Sequence, residues 1–262
     1  MDFPKILKNI IHEDSFQLQS QEKEQLIAYM LEHIGSIDSN LRDTLIYNAF
    51  NKLILGGQLD EADLLLLTET IISHNYLLFN VGSYIQTDEV FTRSFSSLVL
   101  VLCIMQHEHQ TFFTPQLAQK VEKAMKQYLI NETDYRGYIP SKGWAHSVAH
   151  SADLLHTAFE HQSLFPTITY AFSKTILQKW LLQPNAFIDD EHDRMANVVI
   201  AMLQNGWTTN ELSQWLNVLQ QANAEDAYTA YRISWNVRQF IILLYLKTKQ
   251  NDALHKVMAQ HI

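Results

Sequence analysis

Seven glycines and five prolines are all that punctuates 262 residues, and this scarcity constrains the fold more than any motif does. An all-β chain needs a Gly- or Pro-rich turn about every 8–12 residues, which these numbers cannot supply. Long helices joined by short connections can be built with so few breakers. Apolar residues return at helical spacing along the chain, and no stretch alternates strictly enough, or is rich enough in β-branched residues, to read as a strand. The expectation is an all-α chain of about twelve helices in a single domain, since no linker or low-complexity segment divides it.

Start and stop signals place the elements. Residues 3–12 form a first helix that closes before the polar residues 13–15. A second covers 21–34 and stops at Gly35, read as a left-handed cap. Ser39 is taken as the N-cap of a third, which runs to Gly56-Gly57. Asp60 and Asp63 open a fourth that continues to Phe79, and Thr87 caps a fifth with Asp88 and Glu89 in its first turn. Thr114-Pro115 starts the sixth, with proline at the first helical position. The seventh spans 143–161, and the eighth runs from Pro166 to Gln183, before Pro184. The ninth covers 189–205 and ends on Gly206, while Thr208 and Glu211 make a capping box for the tenth. The eleventh, over 226–249, is the longest, and Asn251 caps a short twelfth. The odd-numbered helices from the third onward start near 40, 88, 143, 189 and 226. Those intervals scatter around the ~40–47 residues of two-helix repeats. They suggest a HEAT/armadillo-like α-α superhelix, with an incomplete α/α toroid as the alternative.

Charge and cysteine usage narrow the class. With 19 basic against 28 acidic residues, a net charge of −9, and no Lys/Arg run, the chain lacks the basic footprint that nucleic-acid binding requires. The longest apolar run, 98–105, is far short of a membrane span, and residues 1–14 lack the pattern of a signal peptide. The one cysteine, Cys103, lies in that apolar run and reads as a buried thiol. A cytoplasmic chain without disulfides is expected.

Chemistry concentrates in residues 134–155, DYRGYIPSKGWAHSVAHSADLL. Gly137, Pro140 and Gly143 mark a loop, and a helix follows from about Trp144. On a helical wheel His146, His150 and Asp153 share one face, at i, i+4 and i+7. Trp144, Val148, Ala152, Leu155 and Phe159 fall on the other, which is expected to be buried. Two further helices carry comparable polar stripes. The ninth holds Asp190, Asp193, Arg194 and Asn197, and the eleventh holds Tyr228, Arg232 and Trp235. The fifth could join them through Arg93, and the loop through Lys142. In a superhelix, alternate helices line one concave face, so these twelve residues are expected to converge on a ligand pocket. A stripe on one amphipathic helix is ordinarily just its solvated face. Three stripes rich in Arg, Asp, His, Trp and Tyr, rather than in Lys and Glu, argue for more than solvation.

Three function classes follow. The first is a binding module for a small polar or anionic ligand or a peptide segment, with arginines supplying charge-assisted bonds and Trp235 and Tyr228 stacking surfaces. The second is a metal-dependent hydrolase. His146 and His150, one turn apart, can reach one divalent ion, with Asp153 or a residue of the ninth helix (Asp190, His192, Asp193) as third ligand. The segment reads HSVAH, so the glutamate that serves as general base in HExxH proteases is missing. Asp190 and Asp193 could instead work as an acid–base pair, with Arg194 and Arg232 holding an anion, or tie helices together through an Asp193–Arg232 bond. The third class is a scaffold for another protein. No phosphate loop, dinucleotide fingerprint or nucleophile elbow is present, and His107 and His109 read as surface residues.

The strings RGYIPSKGWAHSVAHSADLL (136–155), VFTRSFSSL (90–98) and DDEHDRMANVV (189–199) resemble a bacterial family, the domain of unknown function DUF2785. The resemblance spans nearly the whole chain and implies an intracellular helical protein of firmicute-like bacteria. It implies no reaction and brings no assigned catalytic residue.

Overall fold

The computed structural model describes residues 2–13, 18–83 and 85–262. Among them are twelve α-helices and one two-residue hairpin ladder, so the protein is all-α. The chain divides into two compact units, Met1–Leu154 and Leu155–Ile262.

The first unit is built on α5 (Glu89–Gln106), which is apolar nearly all round and buried along most of its length. By length and composition alone α5 could cross a membrane, but 83% of it lies inside the protein, as befits a core helix. Against it pack α3 (Asn48–Leu55), α4 (Glu61–Ile71) and a π-helical segment, Asn40–Tyr47, that runs straight into α3. The helices α1 (Phe3–His12), α2 (Ser20–Glu32) and α6 (Pro115–Asn131) complete the unit before the chain enters α7 (Ser147–Glu160). In the second unit α11 (Ala227–Lys247) is central. It packs on α8 (Tyr170–Leu181), α9 (Glu191–Gln204), α10 (Thr209–Gln220) and α12 (Asp252–Met258).

Several start signals act as the residues suggest. Asp60 with Asp63 and Thr208 with Glu211 form reciprocal capping boxes, and Thr114, Asp226 and Asn251 accept from first-turn amides. Others differ. Asp38, not Ser39, caps the third helical segment, because its Oδ1 accepts from the amides of Asn40 at 2.9 Å and Leu41 at 3.3 Å. Thr87 spends its hydroxyl on Glu89 rather than on an amide. Thr169 caps α8, which therefore begins four residues after Pro166. The fourth helix ends at Ile71, and turns carry the chain on past Phe79. Gly35 does not adopt the left-handed cap; it is needed because a Cβ there would overlap Thr92 Oγ1. Of the polar residues that end the first helix, 14 and 15 lie outside the described residues.

The largest departure is at the central loop. Tyr138–Ile139 (β1) and Gly143–Trp144 (β2) pair antiparallel, with Tyr138 opposite Trp144 and Ile139 opposite Gly143. The helix starts at Ser147, not near Trp144. Pro140 removes one donor, and Ser141 and Gly143, both at positive φ, take the left-handed conformations that reverse the chain.

Candidate functional site

The hairpin is held from beneath by Arg42, a residue on the buried stripe of the π-helical segment. Its guanidinium is fully buried. It donates to the carbonyls of Ser36 at 2.5 Å, Lys142 at 2.9 Å and Trp144 at 3.3 Å. Phe91 and Phe95 lie against the cation, 4.1 and 4.9 Å from their ring centroids, a favourable placement of charge on aromatic faces. Asp43 approaches Nε at 2.7 Å as a charge contact, at an angle outside hydrogen-bond geometry. Burial lowers the pKa of Arg42 against the opposing pull of Asp43, and burial raises that of Asp43. Gly143 is required over this anchor, since a Cβ would stand 2.6 Å from Ser39 Cβ and 3.2 Å from Arg42 Nη2.

Above the anchor, four rings form a ladder. Tyr138 meets Trp144 edge-on at 4.8 Å, and Trp144 stacks on His146 at 4.2 Å. His146 in turn meets His150 edge-on. Tyr138 is 52% and Trp144 40% exposed, whereas both imidazoles are half-buried. Trp144 is thus not on the buried back of α7, where Val148, Ala152, Leu155 and Phe159 do lie. His146 sits just before the helix at positive φ, a conformation uncommon for any residue but glycine. The Ser94 hydroxyl donates its one proton to the Ala145 carbonyl and lies 2.7 Å from His150 Nδ1. That nitrogen must then be the donor, which fixes the Nδ1–H tautomer and leaves the acceptor lone pair on Nε2. Ser94, fully buried, orients the imidazole and is no nucleophile.

The cations of this region are committed to partners of their own. Arg93 is buried and bonds Glu132 through two nitrogens, at 2.6 and 2.9 Å, and the Phe79 carbonyl at 3.1 Å, the bidentate geometry in which such pairs are strongest. Lys142 pairs with Asp88 at 2.7 and 2.8 Å, and Arg136 with Asp134 and the Thr87 carbonyl. Asp153, half-buried, follows His150 on α7. Among the described residues no three His, Cys, Asp or Glu side chains gather so as to hold a metal ion. Among them, the His146/His150 pair therefore lacks the third ligand a metal-dependent hydrolase needs.

In the second unit, Tyr228 and Arg232 come together on an exposed face of α11. The guanidinium lies 4.5 Å from the Tyr228 ring centroid and donates to Tyr228 Oη at 2.6 Å and Asn185 Oδ1 at 3.4 Å. Asp193 pairs with Lys247 at 2.8 Å, not with Arg232. Asp190 is exposed in a left-handed conformation at the start of α9, Arg194 is exposed, and Asn197 is half-buried. Trp235 is half-buried with Arg238 5.5 Å from its ring. His192 is buried against Phe187, and burial pushes its pKa down to about 4 despite a bond to Asn236. The cavities near α2 and α4, beside α11 and beside α12 are lined by none of the twelve residues singled out from the sequence.

Of two further sequence assignments, that of His107 changes and that of Cys103 as a buried thiol stands. His107 is half-buried and structural: its Nδ1 accepts from the amides of Phe112 and Phe113, both at 3.0 Å. Cys103 is fully buried, and burial raises its thiol to about 12, which makes it inert. The sequence alone does not single out Arg42, Ser94 or Tyr138. The signal for Arg42 was a charge sharing the helical face of Leu45, Ile46 and Ala49.

The family model described as "Protein of unknown function (DUF2785)" matches residues 77–246, so the chain belongs to that family. No curated protein matches the chain, and no solved structure matches it.

Proposed function

We propose that this member of the DUF2785 family is a binding module whose recognition surface is the hairpin and the first turn of α7. Its ligand is a small polar molecule or a peptide segment that stacks a flat group on Trp144 and Tyr138. The imidazoles of His146 and His150 give it polar partners. One observation supports this reading above the rest: two aromatic rings stand in solvent on a backbone held in left-handed conformations at Ser141 and His146 by a fully buried arginine. Such conformations cost about 1–3 kcal/mol each, and an internal charge costs several more to desolvate. A loop that only joined two helices needs neither. A recognition surface gains from both, because aromatics fixed before binding lose little entropy on binding. An anionic ligand is the weaker choice, since Arg93 and Lys142 already have carboxylate partners. The reading includes a cytoplasmic location, which suits a single buried thiol outside any disulfide.

The test is a thermal-shift screen of polar metabolites and short peptides against wild type, Trp144→Ala and Arg232→Ala. Compounds that raise the melting temperature of wild type and Arg232→Ala, but not of Trp144→Ala, support the hairpin. Compounds lost only in Arg232→Ala would move the site to α11 and sink the proposal.

A further inference from the structure

A second feature of the first unit has no hairpin residue in its lining. The end of α2, the turns after α4 and one side of α5 border an open cleft of about 370 Å³, within the ~300–1,000 Å³ range of small-molecule sites. Glu32, His33, Gly35, Tyr76, Phe79 and Thr92 are among its lining residues. Glu32 carries the one full charge in that lining, and no lysine or arginine contributes to it. Among the described residues Glu32 has no ionic partner.

The other lining groups favour the same kind of guest. His33 Nδ1 lies 2.9 Å from the Tyr29 carbonyl, which can only accept, so Nδ1 carries the proton and Nε2 of the neutral ring is an acceptor. Stacking on Tyr29 at 4.2 Å fixes that ring. Tyr76 and Phe79 bring two aromatic residues to the lining, and the face of an aromatic ring attracts cations. The Tyr76 phenol is held above its ordinary pKa by burial and then by the Glu32 carboxylate, which places that carboxylate's field at the ring. Gly35 keeps the wall thin, because any side chain there would run into Thr92. The protein's net charge of −9 draws cations toward every such opening.

We infer that this cleft binds a small organic amine in its ammonium form, its charge against Glu32, an N–H directed at His33 Nε2 and its carbon chain against Tyr76 and Phe79. The full-length protein is titrated with butylammonium chloride and, in parallel, with 1-butanol, a neutral molecule of similar size. The NMR signals of the His33 and Tyr76 rings are followed. Saturable shifts with butylammonium and none with 1-butanol are expected. Glu32→Gln, an exposed and nearly isosteric change, is expected to weaken binding about tenfold, the scale of one charge-assisted bond. Trp144→Ala leaves it unchanged, which separates this site from the hairpin. Equal responses to the amine and the alcohol would overturn the inference, as would wild-type binding by Glu32→Gln or the absence of saturable shifts.

Discussion

Replacing Arg42 with methionine removes the anchor of the hairpin while keeping most of the side chain's volume. Three donated bonds disappear, of which those to Ser36 (2.5 Å) and Lys142 (2.9 Å) are well formed and the one to Trp144 (3.3 Å) is long. A bond from a charged donor contributes about 1.5–3 kcal/mol, so the two good ones total about 3–6. Methionine avoids the cost of desolvating a guanidinium, which offsets part of this and favours the lower end, about 3 kcal/mol. The effect should be local first. The amides of Lys142, bonded to Ile139 O at 3.0 Å, and of Ala145, bonded to Gly137 O at 2.8 Å, exchange only when the hairpin opens. Native-state hydrogen exchange on Arg42→Met should therefore show these two amides exchanging about a hundredfold faster, the factor that roughly 3 kcal/mol implies. Amides in the middle of α5 should accelerate less. Unchanged hairpin exchange would refute the reasoning, and so would equal acceleration across α5, which would make Arg42 a general core residue.

Three further outcomes follow from the same geometry. Gly143→Ala should destabilise the chain by more than ~1 kcal/mol in urea denaturation, because alanine is strained at the positive φ of that position and its Cβ meets Ser39; a stability equal to wild type would show that the hairpin relaxes freely. Arg93→Met and Glu132→Gln should each cost about 3–5 kcal/mol by stranding a buried charge, and the double variant should cost less than their sum. Additive costs would mean the two do not act as a pair. Since His192 keeps a folded pKa of about 4 against an ordinary 6.5, the unfolded chain takes up this proton first as pH falls. Stability should then drop by about 3 kcal/mol from about pH 6.5 down to about pH 4, and His192→Gln should flatten that slope. An NMR titration of His192 centred near its ordinary value would contradict this.

The helical reading succeeded where local chemistry decides the outcome. An aspartate, asparagine or threonine whose side chain can reach a first-turn amide is enough to start a helix, and Asp60, Thr114, Thr208 and Asn251 do so. It failed where distant residues decide. Nothing near Trp144 announces that Arg42, far earlier in the chain, bonds its carbonyl, or that the residue pairs with Tyr138 in a hairpin instead of joining the helix. With the helix starting later, the wheel that placed Trp144 on the buried face no longer applied to it. The polar stripes identified positions but not partners: Arg93 reads as a candidate ligand until Glu132 is seen 2.6 Å away, and Asp193 finds Lys247 rather than Arg232. Conversely, His146 and His150 do share a face, because i and i+4 remain neighbours even when the first residue only precedes the helix.

The central claim is that the hairpin is a recognition surface, and ligand mapping by NMR at single tryptophans tests it most directly. Trp144→Phe assigns one indole Nε1–H signal among the five tryptophans. A mixture of polar metabolites and short peptides is then titrated into the full-length chain. Saturable broadening or shifts centred on the Trp144 indole and the His146 and His150 rings, with Trp235 unaffected, is the expected result. Ligands that perturb Trp235 and leave Trp144 untouched, or a Trp144 signal that answers to none of them, would contradict it.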